Sequence, residues 1–374
     1  MQLPQGQLTA AFDQTLPPLP PIPYAGPETR PDAMTDANAS LTAAPPSLTA
    51  SAASRLAAEA FGLFGTLTRL TSERDLNFRI AAPEGDHVLK VANAQEPHEV
   101  TRFQTAALLH LEAQAPDLPV PRVRRTLQGA TEFLLPGGEM VRALTYLQGQ
   151  PMHAAPRPPA QRAAMGRMAA QLTKGLQGFS HPAASHRLQW DIRHAADLRP
   201  MLPHIADAGL RSLATATLDR FEAEVAPRLK DCRWQVVHND LNPHNLLVDP
   251  ADPARIAGVL DFGDMVETPL VCDLGVAASY QIDPEDAAAS LAAFTAAYDA
   301  VLPLTDTERT LVGDLTQTRM LTTLAIASWR ASLYPNNAPY ILRNLPSARD
   351  GLTALAAIPP AELTQTIARA CGRI

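Results

Sequence analysis

His238-Asn239-Asp240-Leu241-Asn242-Pro243-His244-Asn245 and, sixteen residues beyond Asn245, Asp261-Phe262-Gly263 are the residues of this chain whose types and spacing could do chemistry. They fit the templates H-x-D-L-x-x-x-N and D-F-G. Phosphoryl transfer asks little covalent help of a protein: the acceptor hydroxyl must be held in line, and magnesium must neutralise charge on the phosphates. On that chemistry Asp240 orients the acceptor hydroxyl or takes its proton. Asn245 contributes an amide oxygen and Asp261 a carboxylate to Mg2+, a hard ion that accepts oxygen ligands and keeps waters and phosphate oxygens as the remainder. His238 is read as a scaffold residue whose ring pins the loop. Turn chemistry alone explains any one of these residues, but not all of them in register.

The elements around the motifs must bring Asp240 and Asp261 to one edge. Apolar runs over 235–238 and 256–260 lead into the two motifs, and Leu246-Leu247-Val248 follows the first. Short strands here, joined by a turn at Asp249-Pro250-Ala251-Asp252-Pro253, do so. Upstream, Lys90 ends the apolar run Val88-Leu89-Lys90, as the lysine of V-A-I-K does, and would hold the α and β phosphates of a nucleotide. Its carboxylate partner is not evident: Glu99 and Glu112 lie on the following helix, where Gln104 occupies the position expected to be glutamate. No G-x-G-x-x-G-x-V precedes Lys90. The turn Leu70-Thr71-Ser72-Glu73-Arg74-Asp75-Leu76-Asn77 is the remaining candidate phosphate cover, through the Ser72 hydroxyl, backbone N–H groups and Arg74 as an extra cation. A hinge near Thr145 and Leu147 would meet the base through backbone groups. No A-P-E follows D-F-G, which removes the usual peptide platform.

Residues 1 to about 51 carry proline-rich sequence such as Pro17-Pro18-Leu19-Pro20-Pro21, which cannot sustain helix or sheet ladders and is expected to be an extended or disordered tail. From there the pattern predicts a short helix over 52–61, strands over 66–70, 76–81 and 87–91, a helix over 97–114, and strands over 126–127, 131–135 and 140–147. Beyond Gly149 helical spacing dominates, over 162–176, 284–300, 308–333 and 360–371, with Thr305 and Glu308 at capping-box spacing. The expected architecture is α+β: a two-lobed, protein-kinase-like fold, with a small antiparallel-sheet nucleotide-binding lobe over 52–146 and a larger, mainly helical catalytic and substrate lobe over 147–374.

A chain of 374 residues that is 46% apolar is long enough for such an interior. It has no run long enough to span a membrane. Its net charge of -7 argues against a broad nucleic-acid surface and suits a compact anionic ligand. Three cysteines, Cys232, Cys272 and Cys371, form neither a disulfide framework nor a zinc site and are read as reduced thiols. The first thirty residues show no basic start followed by an apolar stretch, so a cytoplasmic location is expected.

With these motifs in hand, the chain resembles the aminoglycoside phosphotransferase and choline kinase superfamily from about Phe61 to Pro346. Within it the likeness is greatest to hydroxylysine kinases, through residues 71–78, Val88-Leu89-Lys90-Val91-Ala92-Asn93, Leu260-Asp261-Phe262-Gly263-Asp264-Met265-Val266 and Cys272-Asp273-Leu274-Gly275-Val276-Ala277. Trp190-Asp191 and the stretch around Trp329-Arg330 add to it. The resemblance implies transfer from a nucleoside triphosphate, GTP or ATP, to the hydroxyl of an amine-bearing metabolite, 5-hydroxy-L-lysine first. Aminoglycoside, choline, ethanolamine or homoserine kinases are the alternatives, with a non-catalytic nucleotide-binding regulator beyond them. An amino-acid alcohol needs carboxylates for its ammonium groups and a cation for its carboxylate. Asp264, Glu267 and Asp191 are candidates for the former, and Arg330, with Arg319 and Arg343, for the latter. Two departures from the superfamily pattern are Gln104 for glutamate and Asn239 for a common glycine.

Overall fold

The computed structural model describes residues 46–72 and 75–373; Arg74 and residues 1–45 of the tail expected over 1 to about 51 lie outside the described residues, while Ala50 and Ser51 at its end are helical. Thr49 caps the first helix, α1 (Ala50–Phe61), by accepting the Ala52 N–H at 3.2 Å, and Gly62 closes it at φ 66°, a left-handed conformation that costs glycine little. Ala53, Ala57 and Phe61 recur every fourth residue and form the buried stripe of α1. That stripe lies on an antiparallel sheet built from β1 (Thr66–Leu70), β2 (Leu76–Ala81), β3 (His87–Val91), β4 (Val123–Arg124), β5 (Phe133–Leu134) and β6 (Met140–Thr145), ordered β1-β2-β3-β6-β4 with β5 also on β6. Leu76, Phe78 and Ile80 of β2, Leu89 and Val91 of β3, and Val141 and Ala143 of β6 pack with α1 in one apolar cluster. Because strand side chains alternate between faces, Asn77, Lys90 and Arg142 project from the other face, where register sets Asn77 opposite Lys90 and Lys90 opposite Arg142.

Helix α2 (His98–Gln114) packs elsewhere. Its Phe103, Ala107, Leu108 and Leu111 belong to the larger cluster that fills the helical part of the molecule, and Phe103 stacks on Phe179 with ring centroids 6.0 Å apart. The chain then runs through β7 (Gln150–Pro151), α3 (Pro159–Gly175), a stretch of 3-10 turns over Ile192–His204 and α4 (Ala208–Arg220). Four short strands, β8 (Trp234–Val237), β9 (Leu246–Val248), β10 (Ile256–Val259) and β11 (Val266–Pro269), carry the two motifs. Helices α5 (Leu270–Ser279), α6 (Ala287–Asp299), α7 (Asp306–Leu333), α8 (Ala338–Ile341), α9 (Leu345–Ala356) and α10 (Pro360–Ala370) complete the fold. Strand β9 pairs antiparallel with β10, and β8 pairs with β11, a partner the sequence pattern does not single out. No strand forms over 126–127: Thr126 closes a turn, its N–H on the Ala130 carbonyl and its hydroxyl accepting the Ala130 N–H. Among the described residues no helix is long and apolar enough to cross a membrane. Cys232, Cys272 and Cys371 are unpaired, and burial pushes the thiols of Cys232 and Cys371 up to about 11, which makes them poor nucleophiles.

The 28-residue α7 is the pillar against which α5, α9, α10 and the 192–204 stretch pack. Its start is a capping box: Thr305 Oγ1 accepts the Glu308 N–H at 3.2 Å while Glu308 Oε2 accepts the Thr305 N–H at 2.9 Å. The same carboxylate accepts the Arg233 backbone N–H at 3.0 Å and its guanidinium at 2.6 Å, tying the pillar to the start of β8. Burial alone would raise the Glu308 carboxyl, but these donors hold it below its ordinary value. A carboxyl lowered by folding stabilises above its unfolded value of about 4.3, and that contribution is lost as pH falls through the folded value. Glu308→Gln should therefore lower unfolding free energy by about 1.5–3 kcal/mol at pH 7. In urea denaturation the gap to wild type should narrow as pH falls below about 4.

Candidate active site

The two motifs leave strands of two separate small sheets and are linked to each other through His238. Strand β8 delivers His238, Asn239 and Asp240 as a loop, the β9–β10 hairpin returns the chain, and Asp261 follows β10 directly. His238 is fully buried and joins the two loops. Its Nε2 lies 3.0 Å from the Leu260 carbonyl, and its Nδ1 lies 3.3 Å from the Asp240 backbone N–H. A carbonyl can only accept and an N–H can only donate, so the ring is the tautomer protonated on Nε2. Its edge meets the Phe262 ring at 4.9 Å. Asn239 and Asp261 both take positive φ, 63° and 56°. Asparagine and aspartate tolerate that region better than other side chains, which explains in physical terms how Asn239 stands where glycine is common. The Asn239 N–H donates to Asp273 Oδ1 at 2.7 Å, and Asp273 sits in the first turn of α5 with its carboxyl raised by burial.

Three donors hold the Asp240 carboxylate. Asn242 Nδ2 at 2.8 Å and Asn245 Nδ2 at 2.7 Å share Oδ2, and Arg319 Nη2 reaches Oδ1 at 3.1 Å. Arg319 comes from the middle of α7, is almost wholly buried, and lies between Trp190 and Tyr280, whose ring centroids are 5.1 and 5.9 Å from its Cζ. It also donates to the Trp190 carbonyl and the Tyr280 hydroxyl. Arg319, a candidate receptor for a substrate carboxylate, engages the site's own aspartate instead. Helical spacing gives no hint of this, because the pairing spans 79 residues.

With its amide nitrogen on Asp240, Asn245 keeps its amide oxygen for another partner. Asp261 is exposed, and its Oδ1 also accepts the Gly263 N–H at 3.1 Å. One amide oxygen and one carboxylate suit Mg2+, which takes few protein ligands when phosphates supply the rest. Among the described residues no cluster of three or more His, Cys, Asp or Glu side chains could hold a metal by itself. The oxygen set therefore fits a magnesium ion that arrives with phosphates.

Lys90 meets Asp75, whose Oδ2 lies 3.9 Å from Nζ. Asp75 belongs to the turn before β2, a partner that none of the helical candidates anticipated. Glu99 is exposed and bonded to Arg102, and Glu112 is exposed. Gln104 is buried and accepts a hydrogen bond from Arg142. Ser72 Oγ accepts the Asp75 N–H at 3.2 Å, closing its own turn. At the hinge, Thr145 is bound to Arg122 through both its N–H and its hydroxyl, and the Tyr146 N–H is bound to the Asp86 carbonyl. Leu147 follows and packs its side chain toward Gly258.

The candidate substrate residues stand on several elements. Asp191 is buried as the cap of the 192–204 stretch, where it accepts the Thr268 hydroxyl at 3.0 Å and pairs with Arg193. Glu267 is exposed on β11, Asp264 is half-buried just after Gly263, and Arg330 is half-buried in the last turn of α7. Sequence reasoning missed Arg142, although a lone arginine inside the apolar run Met140-Val141-Arg142-Ala143-Leu144 was a signal: charges are rarely placed in a buried strand without purpose.

A family model described as "Phosphotransferase enzyme family" matches residues 66–310. The chain is 29% identical over 332 residues to hydroxylysine kinase of Mus musculus, covering 81% of this chain and 88% of that protein. It is 28% identical over 326 residues to hydroxylysine kinase of Bos taurus, covering 79% and 86%. Among solved structures, a microcompartment-associated aminopropanol kinase superposes with a TM-score of 0.63 at 20% identity, over 82% of this chain and 100% of that one. An amicoumacin kinase in complex with AMP-PNP, Ca2+ and Ami gives 0.58 at 14% identity, over 82% and 93%. The antiparallel-sheet lobe beside a helical lobe is thus the kinase-like fold the sequence predicts. If Asp261 holds the metal, Asp261→Ala should abolish Mg2+-dependent nucleotide binding in a calorimetric titration; an unchanged affinity would contradict the metal role.

Proposed function

The chain belongs to the phosphotransferase enzyme family, whose model matches well over half of it, and from that premise we propose that it transfers the γ-phosphate of GTP or ATP to the side-chain hydroxyl of 5-hydroxy-L-lysine. That it is a small-molecule phosphotransferase acting on a hydroxyl follows from the family and from relatives matched over about four-fifths of the chain. The acceptor rests on their name, hydroxylysine kinase, and on the absence of an A-P-E platform for a peptide.

The observation that carries the mechanism is the threefold hold on Asp240 by Asn242, Asn245 and Arg319. A carboxylate fixed in this way can face an acceptor hydroxyl in one orientation and accept its proton as the phosphoryl group transfers. Asn242 and Asn245 hold one carboxylate oxygen and Arg319 the other, so the carboxylate plane is set by groups on both the loop and α7. Magnesium, held by Asn245 and Asp261, would neutralise phosphate charge when the nucleotide is bound. Lys90 takes the α and β phosphates, and the Ser72 hydroxyl, with Arg74 as an extra cation, is the candidate cover for them. Thr145 and Leu147 border the base. The Thr145 N–H is already taken, so the Leu147 backbone is the better contact. For the substrate, Asp264 and Glu267 offer carboxylates to an ammonium group and Arg330 a cation to the carboxylate, while Asp191 acts through the fold of the 192–204 stretch. The amicoumacin kinase structure, with a nucleotide analogue and a divalent cation, supports the same pairing of donor and metal here.

Asp240→Ala should reduce transfer by about 100- to 10,000-fold while nucleotide affinity stays close to wild type, since the phosphate clamp is untouched. Coupled nucleotide-diphosphate release from ATP and GTP, read across 5-hydroxy-L-lysine, aminopropanol, choline, ethanolamine, homoserine and an aminoglycoside, tests the acceptor. Turnover should be greatest with 5-hydroxy-L-lysine. Preference for another acceptor would reassign the substrate, and full activity of Asp240→Ala would overturn the mechanism.

A further inference from the structure

Arg142 is a buried cation that the mechanism above leaves unused. It lies in the middle of β6, directly opposite Lys90, which lies opposite Asn77. Directly opposed residues of antiparallel strands share a face, so the three form a polar row on the side of the sheet away from α1. The Arg142 side chain is 3% exposed. Its hydrogen-bond partners are neutral: the Thr101 carbonyl at 3.3 Å, the Thr105 hydroxyl at 3.2 Å and the Gln104 amide oxygen. Its Nε, though buried, has no partner, and neither has the nearby Asn77 Oδ1. Among the described residues no carboxylate comes within ion-pair distance of the guanidinium, while the fields of Asp75, Asp261, Glu132 and Glu96 act on it from farther away.

This arrangement is unfavourable by itself. A guanidinium stays charged in proteins, burying a charge is costly unless it is paired, and like charges directly opposite across strands repel. It becomes favourable once an anion enters between the two cations. A small cavity lies there, lined by Lys90, Gln104, Arg142, Leu144, Asp261 and Phe262. Gln104 contributes to the same effect: a glutamate at that position would neutralise the guanidinium, whereas the amide orients it and leaves its charge available.

Resting on the nucleotide reading of Lys90 and Asp261, we propose that Arg142 supplies a second cation to the phosphate end of the nucleotide site, oriented by Gln104, so that the donor's phosphates are gripped from two adjacent strands. The ligand chemistry is a nucleoside di- or triphosphate, not a nucleoside. The charge pattern of the usual lysine–glutamate pair is then altered: the helix supplies an amide, the sheet supplies two positive charges, and the balancing negative charge comes with the nucleotide.

The test uses the full chain and three variants, Arg142→Met, Arg142→Lys and Gln104→Glu. Binding of Mg·ADP, Mg·GDP, adenosine and guanosine is measured by calorimetry, alongside thermal unfolding without ligand. Arg142→Met should weaken the better-bound diphosphate by about 10- to 100-fold, the size expected for one charge-assisted contact, leave nucleoside affinity unchanged, and not lower the ligand-free melting temperature, because it removes an unpaired buried charge. Arg142→Lys should retain part of the diphosphate affinity. Gln104→Glu should also weaken diphosphate binding while raising the ligand-free melting temperature. Diphosphate affinity equal to wild type in Arg142→Met would overturn the inference alone, as would a lowered melting temperature with equal losses for nucleoside and diphosphate, which marks a packing role. Failure of the wild-type chain to bind either diphosphate would overturn the nucleotide reading and this inference together.

Discussion

One imidazole fixes the geometry on which the rest of the site depends. His238 donates from Nε2 to the loop that leads into Asp261 and accepts at Nδ1 from the backbone of Asp240. The ring itself is fully buried, and the edge contact with Phe262 leaves it little freedom. The proposed base and the proposed metal ligand are thereby set relative to one another by a single rigid group. The positive φ at Asn239 and Asp261 belongs to the same constraint, because both loops turn sharply where they leave their strands. Such conformations carry strain of order 1 kcal/mol or more each and persist only where the surroundings over-determine them. The Asn239 N–H on Asp273 and the two His238 bonds supply that determination.

Charge is distributed around this rigid centre in a consistent way. On the acceptor side, Arg319 meets Asp240 within a frame of Trp190 and Tyr280, so the carboxylate has a fixed direction and a cationic neighbour. On the proposed donor side, Lys90 leans on Asp75 at 3.9 Å, a loose contact. Asn245 turns its amide nitrogen to Asp240, which leaves its oxygen for the proposed metal. Helix α2, which carries Gln104, is packed through Phe103 and Leu111 into the larger apolar cluster, so its register against the sheet is tied to the helical part of the molecule.

How much of this was legible in the sequence depended on how local the cause was. The two motifs, the three-strand meander and the capping box of α7 rest on neighbours in the chain, and each forms as periodicity or turn chemistry predicts. The short strands and the hairpin that carry Asp240, Asn245 and Asp261 were legible, but not that they divide between two small sheets. The partner of Lys90 was hidden, because Asp75 reaches it through a strand pairing and not through a helical spacing. Arg319 reaches Asp240 through the packing of α7 on the 192–204 stretch, and that stretch, interrupted by Pro200 and Pro203, has no helical period to detect. The expected strand over 126–127 failed because the Thr126 hydroxyl satisfies its own turn. Asp191 illustrates the same limit: a buried cap and a ligand for an ammonium group look alike in sequence, and only its bonds to Thr268 and Arg193 distinguish what it does in the fold.

The central claim is that Asp240 directs a phosphoryl group onto a side-chain hydroxyl of a small amino acid. Phosphorus NMR of the product formed from 5-hydroxy-L-lysine, Mg2+ and GTP or ATP tests it most directly. The account predicts a phosphate monoester whose phosphorus couples to the single proton on the carbinol carbon, with no product from lysine, which lacks the hydroxyl. Release of inorganic phosphate alone, or an equal product signal from lysine, would contradict it.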